Sequence, residues 1–223
     1  MDRTPLKRHC QPKFDPKEWD LYAILDESFL KGRKADRLAE QICRGGASVI
    51  QYRNKRGSSA IIRKRIKEIG DVARNYGIPF ILNDDAVTAL EAGADGVHIG
   101  SDDGSPEQVR SVAGDHFLIG YSVRNPGELD NAAQADYIGA GALFPTETHS
   151  KYPVLGLEGT AAIRRQTALP IIGIGGITLN RIDPVIHAGC DGIAVISALL
   201  DARNVELRTA MLVREIRKAK EKR

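Results

Sequence analysis

The chain has 223 residues, about the length of one closed α/β barrel, with 42% apolar and 27% charged residues. This balance predicts a single globular domain and excludes a disordered or fibrous chain. The net charge of +3 is small, and the basic C-terminal segment 214–223 alternates with apolar residues. We therefore expect neither nucleic acid nor a membrane surface as a partner.

Cysteine usage and the N-terminal segment indicate the compartment. Cys10, Cys43 and Cys190 are odd in number and widely spaced, so they predict neither a disulfide framework nor a paired-thiol zinc site. Residues 1–19 lack the apolar region of a signal peptide, and no run approaches the roughly 18 apolar residues of a membrane helix. These features predict a cytoplasmic protein.

Eight short apolar runs, separated by segments with helical spacing, predict repeated βαβ units. The runs are 21–25, 48–52, 79–83, 96–99, 117–121, 137–140, 170–174 and 192–196. Similar small-residue turns precede four of them, at 45–47, 92–95, 133–136 and 188–191. Eight strands without a Gly-x-Gly-x-x-Gly after the first favour a closed (β/α)8 TIM barrel over an open doubly wound sheet. We assign residues 19–223 to the barrel and 1–18 to an N-terminal extension.

In such a barrel the ligand site forms at the carboxyl ends of the strands. At the second strand, alternation places Gln51, Arg53 and Lys55 on one face and Ile50 and Tyr52 on the other. The polar row is predicted to face the barrel mouth, where two cations would bind a di- or triphosphate group. The alternative is that these cations form salt bridges with neighbouring acids.

Carboxylates follow the third and fourth strands, at Asp84, Asp85, Asp102 and Asp103. Mg²⁺ is usually bound by one or two carboxylates together with substrate phosphates, and Asp84 and Asp103 are the candidates for such a site. The alternative is that Asp85 and Asp102 or Asp103 cap the following helices, which is the favoured interpretation for Asp85.

Three polar or aromatic residues near the barrel axis have different expected roles. Ser122 shares a face with Gly120, and no histidine or acid is evident as its partner in a nucleophile arrangement. We predict that Ser122 donates a hydrogen bond to a ligand. His98 is expected to be a packed, hydrogen-bonded residue, and Trp19 to plug or pack at one end of the barrel.

The longest connection, 142–156, has the length of a functional loop. It offers the hydroxyls of Thr146 and Thr148, the side chains of His149 and Lys151, and Gly156 as a hinge. Alternatively, the hydroxyls bond only to nearby backbone.

Glycine-rich residues 173–177 end the seventh strand, and 195–198 end the eighth. Exposed backbone N–H groups there are predicted to bind a phosphate, as the loops after these two strands often do, although simple tight turning would also explain the glycines.

These parts describe two anion sites in one barrel mouth and imply two phosphorylated substrates. A pyrophosphate held by Mg²⁺, Arg53 and Lys55 is a stabilised leaving group, because the positive charges offset the charge that develops as its ester C–O bond breaks. The reaction then requires no general base, provided that the nucleophile carries a lone pair.

Several strings, in this order, resemble those of the thiamine-phosphate synthase family. They are QYRNK at 51–55, ND at 83–84, ADGVHIG at 94–100, FPTET at 144–148, GIGGI at 173–177 and VISA at 195–198. The resemblance extends from residue 21 to about residue 218.

The resemblance implies a magnesium-dependent transferase that joins hydroxymethylpyrimidine pyrophosphate to thiazole phosphate and releases pyrophosphate through a dissociative displacement. It implies that Gln51, Arg53, Lys55, Asn83 and Ser122 hold the pyrimidine pyrophosphate. It implies Mg²⁺ at Asp84 and Asp103, and thiazole phosphate at Thr146, Thr148, Gly176, Ile196 and Ser197. Of these residues, Arg53, Lys55 and Ser122 are the predicted catalytic set, and we expect Arg53→Ala to lower turnover far more than stability.

The sequence departs from the family pattern at three places. His149 stands where the family usually has Lys, so this pyrophosphate contact falls to His149 or to Lys151. Ser101 replaces a frequent Gln, and residues 1–17 have no clear counterpart. The open alternatives are a thiazole tautomerase, which typically has a His after the fifth strand where this chain has Ser122, and a non-catalytic barrel that binds thiamine phosphates. The sequence leaves the oligomeric state open, and a homo-oligomer is one of the alternatives.

Overall fold

The structure, a computed structural model, describes residues 14–146 and 153–223. Eight parallel strands pair in chain order and close on themselves through the first and the last, which confirms the predicted (β/α)8 barrel. The strands are β1 Leu21–Asp26, β2 Val49–Arg53, β3 Phe80–Asn83, β4 Gly96–Ile99, β5 Leu118–Val123, β6 Tyr137–Ala140, β7 Ile171–Ile174 and β8 Gly192–Val195.

Helices surround the barrel. The α-helices are α1 Ala35–Arg44, α2 Ser59–Asn75, α3 Ala86–Ala92, α4 Pro106–Ala113, α5 Gly156–Arg164, α6 Ile182–His187, α7 Ser197–Leu200 and α8 Val205–Lys220. Short 3₁₀ helices cover Pro16–Glu18, Glu27–Phe29, Pro126–Ala132 and Leu179–Arg181. The third of these takes the place of an α-helix between β5 and β6. No helix within the described ranges is long and apolar enough to cross a membrane.

Three strands continue further toward the site than the sequence predicts, including β2, which ends at Arg53 instead of residue 52. β5 runs to Val123 instead of residue 121, because its pairing with β6 continues through Ser122 opposite Gly139. β1 likewise includes Asp26, which lies opposite Arg53 of β2. Ser122 and Asp26 are therefore held by strand backbone, which fixes the direction of their side chains.

The repeated turns before β4, β6 and β8 share one structural device. In each, an aspartate accepts a hydrogen bond from the backbone N–H at the start of the preceding strand. The distances are 2.8 Å from Phe80 N to Asp95, 2.7 Å from Ile119 N to Asp136 and 2.9 Å from Ile171 N to Asp191. These bonds satisfy buried backbone donors at the amino end of the barrel, where no site is expected.

Aromatic residues fill the amino end of the barrel interior. Trp19 is buried and contacts Tyr22 and Tyr137 edge to face, with ring centroids 5.8 and 5.0 Å apart. The predicted packing role of Trp19 is confirmed. Part of the predicted extension also packs here, since Phe14 contacts the core and Pro16 is buried. The carboxyl end remains as the open end of the barrel.

Candidate active site

A cavity at the carboxyl end of the strands is lined by the polar row predicted from β2. Gln51, Arg53 and Lys55 all face it, whereas Ile50 and Tyr52 are fully buried on the other face. The alternation of side chains along β2 thus places Gln51 and Arg53 as the sequence predicts, and Lys55 reaches the cavity from the turn that follows the strand. The sequence left open which acids pair with Arg53 and Lys55. The two resulting ion pairs differ in burial.

Arg53 forms an ion pair with Asp26, a residue that the sequence analysis did not identify. Nη1 of Arg53 donates to Oδ2 of Asp26, and the two side chains are 15% and 4% exposed. Asp26 also accepts a hydrogen bond from the backbone N of Ser28 at 2.9 Å. The alternative of a salt bridge to a neighbouring acid is therefore realised, with Arg53 still lining the cavity. The sequence did contain a signal for Asp26, because alternation along β1 places it on the same inward face as Tyr22 and Ile24.

Lys55 makes a more exposed pair. Its Nζ lies 2.5 Å from Oδ2 of Asp84, and the side chains are 51% and 28% exposed. Asp84 adopts a left-handed φ of 70°, which Asp tolerates better than most residues, and its backbone N donates to the carbonyl of His98 at 2.8 Å. This turn directs the Asp84 side chain into the cavity mouth beside Lys55.

Asp103 lines the same mouth and lies close to Asp84. Its carboxylate accepts a hydrogen bond from the backbone N of Gly100 at 2.8 Å. Burial raises the pKa of Asp103, and the adjacent Asp84 carboxylate raises it further, against the lowering effects of the Gly100 N–H and of Lys55. Within the described ranges, no cluster of three or more His, Cys, Asp or Glu side chains could hold a metal ion. Two neighbouring carboxylates at the cavity mouth suit Mg²⁺ completed by substrate phosphates and water.

The neighbouring aspartates separate into different roles. Asp85 caps α3, because Thr88 donates to it from its backbone N at 2.9 Å and from its hydroxyl at 2.6 Å. The capping interpretation of Asp85 is confirmed. For Asp102 and Asp103 it is wrong, since Ser105 caps α4.

Gln51 and Asn83 form a side-chain pair between β2 and β3. Nε2 of Gln51 donates to Oδ1 of Asn83 at 3.0 Å, and Gln51 is only 2% exposed. Both side chains line the cavity. The hydrogen bond between them orients both amide groups toward the cavity at the carboxyl end of the barrel.

A chain of hydrogen bonds runs from Ser122 down the barrel axis. The Ser122 hydroxyl lies 3.0 Å from Nε2 of His98, Nδ1 of His98 lies 3.3 Å from the Tyr137 hydroxyl, and this lies 2.9 Å from the Tyr22 hydroxyl. Burial raises the pKa of both tyrosines, so they remain neutral. The small Gly120 makes room, because a Cβ there would lie 2.4 Å from Nδ1 of His98.

The histidine partner of Ser122 was not evident from the sequence. His98 faces Ser122 because β4 pairs with β5 so that His98 stands opposite Gly120. The prediction that His98 is packed and hydrogen-bonded is confirmed, although His98 also lines the cavity. Since Nδ1 of His98 faces a phenol, the pair gives no support to acyl-transfer chemistry.

A second depression adjoins the first and lies over the ends of β7 and β8. Gly175 and Gly176 have φ of 96° and 64°, and a Cβ at Gly176 would lie 2.8 Å from the carbonyl O of Pro145, so glycine is required there. Gly176, Ile196 and Ser197 of the predicted thiazole-phosphate set line this depression, whereas Thr146 does not. Ile174, Ala194 and Ile196 line both depressions, which therefore share a wall.

The loop residues are only partly described. Thr146 ends the first described range, whereas Thr148, His149 and Lys151 lie outside the described residues. Leu143 and Phe144 tie the start of the loop to β7, with backbone bonds to Ile174 O at 2.9 Å and Gly175 O at 3.1 Å. Arg181, which the sequence analysis did not single out, also lines the second depression.

Comparison with known proteins agrees with this arrangement. The family model described as thiamine monophosphate synthase matches residues 21–199. A thiamine-phosphate synthase of Bacillus velezensis is 42% identical over 190 residues, which cover 82% of this chain and 84% of that protein. One from Chloroflexus aurantiacus is 39% identical, covering 84% and 88% of the two chains.

Solved structures give the same result. The thiamine phosphate pyrophosphorylase of Pyrococcus furiosus superposes with a TM-score of 0.82 at 32% identity, covering 92% of this chain and 98% of that one. The chain is thus a member of the thiamine monophosphate synthase family.

Proposed function

We propose that the chain condenses 4-amino-5-hydroxymethyl-2-methylpyrimidine pyrophosphate with 4-methyl-5-(2-phosphoethyl)thiazole to give thiamine phosphate and pyrophosphate. The observation that carries this proposal is the pair of adjoining depressions, one lined by cations and carboxylates and the other by a glycine turn, with Ile174, Ala194 and Ile196 in their common wall. Two phosphorylated substrates can then meet with their phosphate groups apart and their reacting atoms together.

The diphosphate of the pyrimidine substrate binds on the β2 to β4 side. Arg53, held by the buried Asp26, presents a fixed guanidinium, whereas the more exposed Lys55 turns from Asp84 to a phosphate oxygen. Both positive charges stabilise the leaving group as the C–O bond electrons move onto the diphosphate. The Gln51 and Asn83 amides contact the pyrimidine part or the inner phosphate.

Asp84 and Asp103 would hold Mg²⁺, because two neighbouring carboxylates fit a divalent cation. Burial and, to a lesser extent, the adjacent Asp84 raise the pKa of Asp103. When bound, Mg²⁺ would supply further positive charge to the leaving diphosphate. Asp84 would hold this ion with the carboxylate that pairs with Lys55 in the structure, once Lys55 contacts the substrate.

Ser122 donates a hydrogen bond to the pyrimidine pyrophosphate, oriented by His98 at 3.0 Å. The C–O bond breaks first, and the resulting pyrimidine-stabilised cation is captured by the lone pair of the thiazole nitrogen, which forms the new C–N bond. Because that nitrogen loses no proton, the step requires no general base.

The thiazole phosphate binds on the β7 and β8 side. Its phosphate contacts backbone N–H groups at Gly176, Ile196 and Ser197, with hydroxyls from Thr146 and Thr148. His149 or Lys151 contacts the pyrophosphate from the same loop.

Residues 19–223 form the catalytic domain and 1–18 an extension. The partners are small molecules in the cytoplasm, with no nucleic acid or membrane.

The test is to mix the purified protein with both substrates and Mg²⁺ and to measure thiamine phosphate and pyrophosphate. Two adjacent aspartates offer a matched pair of variants. Asp84→Asn removes a carboxylate from the mouth, and Asn tolerates its left-handed backbone, whereas Asp85→Asn retains the helix cap. We expect Asp84→Asn or a chelator to abolish turnover and Asp85→Asn to preserve it. Tight binding without turnover would favour a binding protein, and isomerisation of the thiazole alone would favour a tautomerase.

A further inference from the structure

The guanidinium of Arg181 is fixed at the edge of the second depression by two contacts. Nη1 donates to the carbonyl O of Gly176 at 2.6 Å, and Cζ lies 4.5 Å from the centroid of the Phe144 ring. Arg181 ends the short 3₁₀ helix after β7, and its side chain is half-buried and lines the depression. Stacking on an aromatic face and bonding to a carbonyl leave a guanidinium little rotational freedom.

Most of the hydrogen-bonding capacity of this group remains available for a ligand. A guanidinium carries five N–H donors. Within residues 14–146 and 153–223, the carbonyl of Gly176 is the one acceptor to which the guanidinium of Arg181 donates. A half-buried cation with unused donors beside a ligand site is suited to an anion.

The charge around the depression also favours an anion. Apart from Arg181, the charged residue in its described lining is Asp201. Asp201 forms an ion pair with Lys31, with Nζ and Oδ1 2.8 Å apart. The acid is thus compensated from outside the depression, whereas the positive charge of Arg181 is not matched by a carboxylate among the described residues.

We propose that Arg181 binds the phosphate of the thiazole substrate and provides the charged contact in a site otherwise made of backbone N–H groups and hydroxyls. The inference rests on the proposed function and deepens it, since it assigns the recognition of the phosphate monoester dianion to a particular side chain. A planar guanidinium can donate hydrogen bonds to two phosphate oxygens at once in a fixed direction. Backbone N–H donors on two separate loops constrain the direction of the phosphate less.

A structural role for Arg181, in which it merely holds Phe144 against the glycine turn, predicts a different result. Loss of the loop position would impair every thiazole acceptor alike, whereas loss of a phosphate contact impairs only the phosphorylated one. The experiment therefore compares thiazole phosphate with the corresponding thiazole alcohol at saturating pyrimidine pyrophosphate. The initial slopes give kcat/KM for both acceptors, even where the alcohol does not reach saturation.

For Arg181→Ala, we expect kcat/KM for the phosphate ester to fall about tenfold or more and that for the alcohol to stay within about twofold, as for the loss of a charged hydrogen bond. Arg181→Gln, which can still donate to the carbonyl of Gly176, should give the same selective loss, so a folding defect of the alanine variant does not decide the outcome. The matched control is Arg203→Ala, because Arg203 is exposed between α7 and α8 and does not line the depression. It should leave both values unchanged.

Equal losses for the two acceptors, or no loss for the phosphate ester, would overturn the assignment. Calorimetric titration of thiazole phosphate into wild type and the Arg181 variants separates this failure from that of the proposed function. If wild type forms no thiamine phosphate, the proposed function fails. Weaker binding of thiazole phosphate by the variants than by wild type would still support the role of Arg181. Equal binding by the variants and wild type, or no binding by any of these proteins, would refute that role.

Discussion

Replacing Asp26 by Asn tests how much the buried ion pair with Arg53 contributes to the folded barrel. Asn has the shape of Asp and can still accept the bond from the backbone N of Ser28. It lacks the negative charge, so the guanidinium of Arg53 loses its counter-ion in a position where only 15% of the side chain is exposed. Breaking a buried pair costs about 3–5 kcal/mol, and because Arg53 keeps some contact with water, we expect about 3 kcal/mol.

The assay is urea unfolding, in which the variant should show a lower midpoint with an unchanged slope. For a domain of this size, a loss of that magnitude corresponds to a lower Tm by about 6–12 °C. The matched control is Asp71→Asn, which breaks exposed pairs with Lys67 and Arg74. The side chains of Asp71, Lys67 and Arg74 are 50%, 81% and 62% exposed. Exposed pairs contribute about 0–1 kcal/mol each, so this variant should lose much less stability than Asp26→Asn.

A double-mutant cycle with Arg53→Gln isolates the pair itself. If Asp26 and Arg53 act as a unit, the double variant loses less stability than the two single variants combined, by about 1 kcal/mol or more. Additive losses, or an Asp26→Asn midpoint equal to that of the Asp71→Asn control, would refute the argument that this pair is energetically distinct from surface pairs.

Three further predictions follow from the site and its supports. Asp103→Asn should raise the Mg²⁺ concentration for half-maximal turnover at least about tenfold, measured from initial rates. Burial alone would raise the pKa of Glu27, but hydrogen bonds that include one from Arg65 lower it below its ordinary value. The ionised Glu27 carboxylate therefore stabilises the fold at neutral pH, and this contribution is lost as the pH falls through the folded-state pKa. The destabilisation by Glu27→Gln in urea titrations should therefore shrink below about pH 4. Gly120→Ala would place a Cβ 2.2 Å from Cζ of Tyr137 and should lower the free energy of unfolding by at least about 1–3 kcal/mol in the same assay.

Features set by local periodicity were predictable from the sequence. Eight apolar runs predicted the closed barrel, and alternation along β2 placed Gln51 and Arg53 on the cavity face. The distinction between Asp84 in the mouth and Asp85 as a helix cap followed from where the strand ends and α3 begins. Each inference depends on residues within a few positions of one another, so the sequence carries the information directly.

Contacts between strands were not predictable in the same way. The pairing of His98 with Ser122 depends on the register of β4 against β5, and that of Asp26 with Arg53 on the register of β1 against β2. Nothing in the spacing of 24 or 27 residues indicates which side chains meet. Arg181 was missed for a related reason, because its proximity to Gly176 results from the path of the chain after β7.

Arg53 at the end of β2 and Lys55 in the turn after it have the same predicted ligand but not the same freedom to reach it. Arg53 is paired with a carboxylate that is 4% exposed, whereas Lys55 is 51% exposed and its partner Asp84 28% exposed. Separating the first pair leaves a buried charge uncompensated, and separating the second costs little because water replaces each partner. Under the proposed function, the diphosphate would find Arg53 already in position and would draw Lys55 away from Asp84. Asp84 and Asp103 would then be two neighbouring negative charges, and a divalent cation that accompanies the substrate would be bound by both.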